Sequence, residues 1–185
     1  MNKGKTLTTQ PLRTGEQIRN MINKLSPGRN RVMFILGIHS ALRISDLVSL
    51  KCSDFDNGFM LIREKKTGKI KPFKLHPEVA KIVEDYITSF PRKWLFQSRQ
   101  GDNHLSTGMA RKIIKDAAEA CGLKHISTHS MRKTFGYQAW KENDAQLPVI
   151  MKVLNHSDLK VTQRYLGIDQ DVVCDMTSKM DLLHI

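Results

Sequence analysis

Asp56-Asn57-Gly58-Phe59-Met60-Leu61-Ile62, then Lys66-Thr67-Gly68-Lys69 and Ile70-Lys71-Pro72-Phe73-Lys74-Leu75, is the stretch that decides the architecture. Asn-Gly before an apolar run is a strong hairpin signal, because both central positions of a tight two-residue turn need positive φ. The two turns bound short antiparallel strands. Pro72 has no N–H to give, which confines the third strand to an edge or Pro72 itself to a bulge. The flanking segments carry helical spacing, so the chain reads as mainly α with a small antiparallel three-stranded sheet, an α+β fold.

Upstream of the hairpins, Arg31 to Leu42 is apolar nearly all round and reads as a buried helix, with a shorter one beginning near Ser45. Before it, Thr14-Gly15-Glu16-Gln17 has capping-box form and opens a helix carrying Ile18, Met21, Ile22 and Leu25. Ser26-Pro27-Gly28 ends that helix. Downstream, Pro77 opens a helix with Val79, Ile82, Val83, Tyr86 and Phe90 on one face. Ser106 caps the next, which stops at Gly122, and Thr128 caps one that reaches Glu142. Pro148 to Leu154 makes a short helix, and Ser157 caps one carrying Tyr165. Val172, Val173, Met176 and Met180 form a last amphipathic stretch, and residues 1–13, without any period, read as a flexible basic arm.

The 185 residues suffice for one well-packed domain and are too few for two ordinary ones. No apolar run approaches the roughly 20 residues of a membrane span, and the first residues lack a signal peptide's apolar stretch. Cys52, Cys121 and Cys174 form no C-x-x-C, so reduced thiols and a cytoplasmic location are expected. Thirty Lys and Arg against eighteen Asp and Glu give a formal charge of +12. Residues 1–75 hold fifteen basic and five acidic residues, so most of the excess lies there. Such a balance points to a polyanion, nucleic acid first, although a basic surface that merely keeps the protein soluble gives the same count.

Several polar side chains sit where a helical protein is usually apolar or indifferent. Arg43 follows the buried helix, His129 and Arg132 lie three apart on one helix, His156 stands between two short helices, and Tyr165 lies nine residues beyond it. Lys66 stands at a hairpin tip. Each has an ordinary explanation taken singly, as a carbonyl cap, a chance pair, a turn lysine or a core tyrosine. Together they suit phosphodiester exchange. Two arginines can clamp the non-bridging oxygens, histidines can move protons or donate to the phosphate, and a lysine can protonate the departing oxygen. A phenol suits as nucleophile because its phosphodiester is reversible, but with a pKa near 10 only about one in a thousand is ionised at pH 7. No metal-ligand spacing and no phosphate-binding Gly-rich loop is present, so neither metal nor cofactor nor nucleotide fuel is implied.

At these residues the sequence resembles the tyrosine recombinase (phage integrase) family, over about residues 14–166. Ala41-Leu42-Arg43-Ile44-Ser45-Asp46-Leu47-Val48-Ser49-Leu50 is similar to the box of its first arginine, with Asp46 in the acidic place. Lys65-Lys66-Thr67-Gly68-Lys69 is similar to its lysine hairpin, Thr128-His129-Ser130-Met131-Arg132-Lys133-Thr134-Phe135 to its His-x-x-Arg box, and Val153 to Tyr165 to its closing box. The resemblance implies a site-specific DNA recombinase in which Tyr165 attacks a DNA phosphate, leaving a 3′-phosphotyrosine and a free 5′-hydroxyl. It makes Arg43 and Arg132 the phosphate clamp, Lys66 the general acid, His129 an aid to proton transfer, His156 a phosphate donor and Asp46 a supporting residue. Lys65 is a rival for Lys66, because a register slip of one residue exchanges the faces of a strand. Tyr86 and Tyr137 read as core.

The resemblance further implies double-stranded DNA as partner, a monomer in solution and a homo-oligomer, dimer to tetramer, on DNA. Family members usually carry a DNA-clamping domain before the catalytic one, whereas about fourteen residues precede the first helix here. Modest, steeply salt-dependent DNA affinity is therefore expected. Asn155 stands where many relatives have glycine, and it too tolerates left-handed angles. Segment 167–185, with Asp169, Asp171, Asp175 and Asp181 against Lys179, reads either as exchanged between subunits or as closing its own core. The rival readings are a non-catalytic DNA-binding regulator with the same fold and a relaxing enzyme of the type IB topoisomerase kind.

Overall fold

The computed structural model describes residues 9–63, 70–142, 146–154 and 157–167. Among these the order is α1 (Gly15–Lys24), α2 (Arg29–Ser40), α3 (Ile44–Val48), a 3₁₀ turn at Cys52–Asp54, β1 (Phe55–Asp56), β2 (Phe59–Arg63) and β3 (Ile70–Lys74). Then come α4 (Pro77–Ser89), α5 (Thr107–Ala120), α6 (Thr128–Glu142), α7 (Leu147–Leu154) and α8 (Leu159–Leu166). The α+β architecture is as expected, and among the described residues no helix is long and apolar enough to cross a membrane.

The sheet is antiparallel in the order β1-β2-β3. Asn57 and Gly58 take φ of 47° and 77°, the positive pair that an Asn-Gly hairpin turn uses. Pro72 pairs with Leu61 in an unbroken register, so the edge position of β3 accommodates it without a bulge. The second turn, with Lys65 and Lys66, lies outside the described residues.

Helix α2 is the spine. Val32 to Ile38 is a continuous buried run, so the helix must be enclosed on every side; α1, α3, α4 and α6 pack around it. A Cβ added at Gly37 would come within 2.7 Å of the Met131 sulfur, which shows how closely α2 and α6 approach. Thr14 makes its capping box with Gln17 as the sequence predicts, and Ser106 Oγ accepts the Met109 N–H at 3.1 Å. Tyr86 and Tyr137 are buried, in keeping with their reading as core.

Four local expectations are corrected. Residues 9–13 are not a flexible arm: Leu12 is buried in the core, its N–H donates to Thr134 Oγ1 (2.8 Å), and the Gln10 N–H donates to the His125 carbonyl (2.9 Å). Ser127, not Thr128, caps α6: its Oγ accepts the His129 N–H (3.3 Å), while Ser130 Oγ accepts the Ser127 N–H (3.0 Å). Asp158, not Ser157, caps α8, accepting the Lys160 N–H at 2.7 Å. In α4, Val79, Val83 and Tyr86 are buried but Ile82 and Phe90 are exposed, because the packed stripe is narrower than the apolar one. The amphipathic stretch from Val172 to Met180 lies outside the described residues.

A second, smaller cluster forms where α6, α7 and α8 meet. Ala41, Ile150, Leu154 and Leu166 are buried there, with Phe135, Trp140 and Tyr165 packed against them. Gly136 makes that junction possible: a Cβ there would stand 2.6 Å from Leu166 Cδ2 and 3.4 Å from Leu154 Cδ1. Burying Leu154 and Leu166 supplies about 1.5–3 kcal/mol each, and this small cluster fixes the helix that carries Tyr165.

Candidate active site

The Ser127–Ser130 cap sets the start of α6, and helical spacing then puts His129, Arg132 and Lys133 on one side. Arg132 is 7% exposed and reaches away from its own helix. Its Nη1 donates to the Ala41 carbonyl, just past α2, and its Nη2 to the Leu154 carbonyl, the last residue of α7. Ala41 ends α2 in the left-handed region (φ 54°, ψ 14°), which costs a residue with a Cβ about 1–2 kcal/mol. The carbonyl so placed is the one that Arg132 grips.

Tyr165 lies against this side of α6. Its ring meets His129 edge-on, with centroids 5.1 Å apart and planes at 89°. Lys133 Nζ stands 4.7 Å from the ring centroid. The charge of the Arg132 guanidinium acts on the buried phenol. Arg43, exposed at the N-cap of α3, faces Arg132 across a cleft of about 230 Å³ lined also by Leu42, Ile44, Ser45, Thr128 and His129. That is several times the ~30 Å³ a water molecule occupies.

Burial pushes the Tyr165 phenol up to about 12, against the downward pull of Arg132 and, more weakly, Arg43. Burial also lowers Arg132, with Arg43 acting in the same direction and Tyr165 and Asp46 opposing it. Lys133 is lowered by burial. At pH 7 a phenol near 12 is ionised about once in a hundred thousand molecules, so the resting site holds a protonated tyrosine beside cations.

The structure thus brings Arg43, His129, Arg132 and Tyr165 to one place, with Asp46 near enough to act on Arg132. Lys66 and His156 lie outside the described residues. Lys133 was not singled out by the sequence. It is 6% exposed, and the signal the sequence held was its place directly after Arg132 in the His-x-x-Arg helix. Thr128, a buried wall of the cleft, was likewise read only as a cap.

Helices packed on both sides of α2 and a three-stranded sheet make the fold of a tyrosine recombinase catalytic domain. The sequence pattern of the phage integrase family matches residues 13–171, and the chain belongs to that family. It is 35% identical over 168 residues to the probable integrase/recombinase YoeC of Bacillus subtilis, covering 88% of this chain and 91% of that one. It is 24% identical to tyrosine recombinase XerA of Pyrococcus furiosus, covering 92% of this chain but 62% of that one. Among solved structures, XerA recombinase superposes with a TM-score of 0.77 at 20% identity, over 97% of this chain and 66% of that one. A lambda integrase dimer bound to a COC′ core site superposes with 0.67 at 18% identity, over 88% and 49%. The fold is shared with these structures, and the chain is a site-specific recombinase.

Proposed function

We infer that the chain cuts and rejoins double-stranded DNA through a 3′-phosphotyrosine at Tyr165, using neither metal nor ATP. The observation that carries this reading is Tyr165 packed on His129, within reach of the Arg132 charge, beside a cleft that Arg43, His129 and Arg132 line. A phosphodiester in the cleft presents two non-bridging oxygens, one toward the exposed Arg43 and one toward the fixed Arg132. Charge that builds on those oxygens in the transition state meets two guanidinium groups already in position, which supplies the electrostatic stabilisation.

The bond from Tyr165 Oη to phosphorus forms as the bond to the 5′ oxygen breaks. Because free tyrosinate is scarce, the phenol proton leaves as the new bond forms, with His129 as the neighbouring base. The departing 5′ oxygen takes a proton from Lys66, by the family resemblance. His156 donates to the phosphate and Asp46 holds the arginine side of the site. One phosphodiester replaces another, so a second 5′-hydroxyl can reverse the step on a new strand and no nucleotide hydrolysis is needed. Lys133, against the ring of the nucleophile, holds it in orientation through a cation–π contact.

Residues 14–166 form the catalytic unit, with residues 9–13 packed onto it, and 167–185 is the segment that protomers exchange on DNA. Related folds have been solved as a lambda integrase dimer on a core site and a tetramer on a Holliday junction, which supports DNA as partner and assembly to dimers and tetramers. A nucleic-acid substrate and reduced thiols fit a cytoplasmic protein.

The test is a nicked suicide duplex drawn from DNA flanking the coding sequence, incubated with EDTA and without nucleotide. A covalent adduct in denaturing gels that disappears in Tyr165→Phe supports the reading. DNA binding without an adduct on any such site points instead to a regulator that keeps the fold.

A further inference from the structure

A second cleft, of about 150 Å³, opens at the other end of α2 from Arg43. Arg29, the first residue of α2, lines it together with Arg92 and Arg99 from the segment between α4 and α5. Arg29 is fixed in place: its Nη1 donates to the Gln97 carbonyl at 2.8 Å and its Nε to Asn30 Oδ1 at 3.2 Å. That leaves Nη2 and one Nη1 hydrogen available. Arg92 donates through Nε to the Phe90 carbonyl at 2.9 Å and stacks near Tyr86 and Phe90, at 5.2 and 5.1 Å. Among the described residues none of the three arginines pairs with a carboxylate. Their mutual repulsion is felt: burial lowers Arg29, and the charges of Arg99 and Arg92 lower it further.

Three converging cations held without a counter-charge are costly unless an anion arrives. The site has a further feature of a polyanion cradle. Beyond the cleft the charge continues along Lys93 and Lys51, which lie over Trp94 at 5.3 and 5.6 Å. One small anion needs no such strip of five cations. A polyanion does.

We propose that the Arg29–Arg92–Arg99 cleft binds a backbone phosphate of DNA flanking the cleavage point, a second anchoring site joined to the first by α2. The proposal rests on the reading of the chain as a DNA-cutting enzyme. Twelve residues of helix span about 18 Å, which corresponds to roughly five base pairs of B-form duplex between the two phosphates. A remote phosphate contact would set the angle at which the duplex enters the catalytic cleft.

The test is equilibrium binding of the full chain to a 30-base-pair duplex across a salt series, for wild type, Arg92→Gln/Arg99→Gln, Arg29→Gln and Arg43→Gln. Loss of one phosphate contact lowers the salt slope by about 0.9 and weakens binding at 0.1 M salt by about eightfold. The double variant should show that loss with unchanged thermal stability, and Arg43→Gln should add to it rather than replace it. Arg29→Gln should match the double variant. Wild-type slope and affinity in both cleft variants would overturn the proposal. So would stabilisation of wild type alone by millimolar inorganic phosphate with DNA slopes unchanged, which would assign the cleft to a small anion. If the cleft variants bind like wild type while Tyr165 still forms its adduct, the cleft proposal alone fails; no adduct from wild type instead removes the reading beneath it.

Discussion

The proposed mechanism gives Arg43 and Arg132 the same task on the phosphate, but their places in the fold differ, and replacing each with alanine separates catalysis from support of the fold. Arg132 is buried and holds two backbone carbonyls, at Ala41 and Leu154, that join α2 to α7. Hydrogen bonds from a charged group contribute about 1.5–3 kcal/mol each, and relief from burying the cation offsets part of the loss. The net cost of Arg132→Ala is about 2–4 kcal/mol. With a urea dependence of about 2 kcal/mol per molar, the unfolding midpoint falls by roughly 1–2 M. Arg43 is exposed, so Arg43→Ala should stay within about 0.5 kcal/mol of wild type. Adduct formation should drop about a hundredfold or more in both. The assay is urea unfolding followed by circular dichroism, beside single-turnover cleavage at a urea concentration where both variants are folded. Arg132→Lys, which keeps the charge and one carbonyl bond, should fall between wild type and Arg132→Ala in stability. Equal midpoints for Arg43→Ala and Arg132→Ala would refute the structural role assigned to the buried guanidinium.

Gly136→Ala places a methyl 2.6 Å from Leu166 Cδ2 and should cost about 1–3 kcal/mol while displacing α8, so cleavage falls more than DNA binding; a gel-shift and a cleavage time course compare the two. Lys133→Met removes a buried cation at similar volume, so thermal stability should hold or rise while cleavage slows by about 2- to 30-fold, the span of a cation–π contact, with Lys133→Arg recovering part of it. The near-ultraviolet tyrosinate titration of wild type minus Tyr165→Phe should show one phenol with a midpoint near 12, and a midpoint near 10 would contradict its burial. The sign for stability follows: the native state keeps this proton longer than the unfolded chain. Its contribution is therefore full below about pH 10 and fades between about 10 and 12.

What the sequence revealed was what local chemistry decides. The Thr14–Gln17 box, the Asn57-Gly58 turn and the enclosure of α2 each follow from adjacent residues, and all three are found. The caps of α6 and α8 were read one residue away because Ser127 and Thr128, and Ser157 and Asp158, are neighbouring residues that can each cap. Ile82 and Phe90 share the period of α4, but how wide a stripe is covered depends on what packs there. The double duty of Arg132 was not legible, since its carbonyl partners lie 91 and 22 residues away in sequence. Nor was the burial of Lys133, which composition argues against and tertiary packing imposes. The arginine cleft joins Arg29 to residues more than sixty positions on, a meeting that no periodicity announces.

The central claim concerns one oxygen atom, and the most direct measurement identifies it chemically. The protein is trapped on a nicked duplex, digested with trypsin and nuclease, and the modified peptide is fragmented in a mass spectrometer. Cleavage after Arg164 and Lys179 releases residues 165–179, whose single tyrosine is Tyr165 beside Thr177 and Ser178. The account predicts a nucleotide joined through its 3′-phosphate to Tyr165. A modification on Thr177, Ser178 or any other residue, or a linkage through a 5′-phosphate, would contradict it.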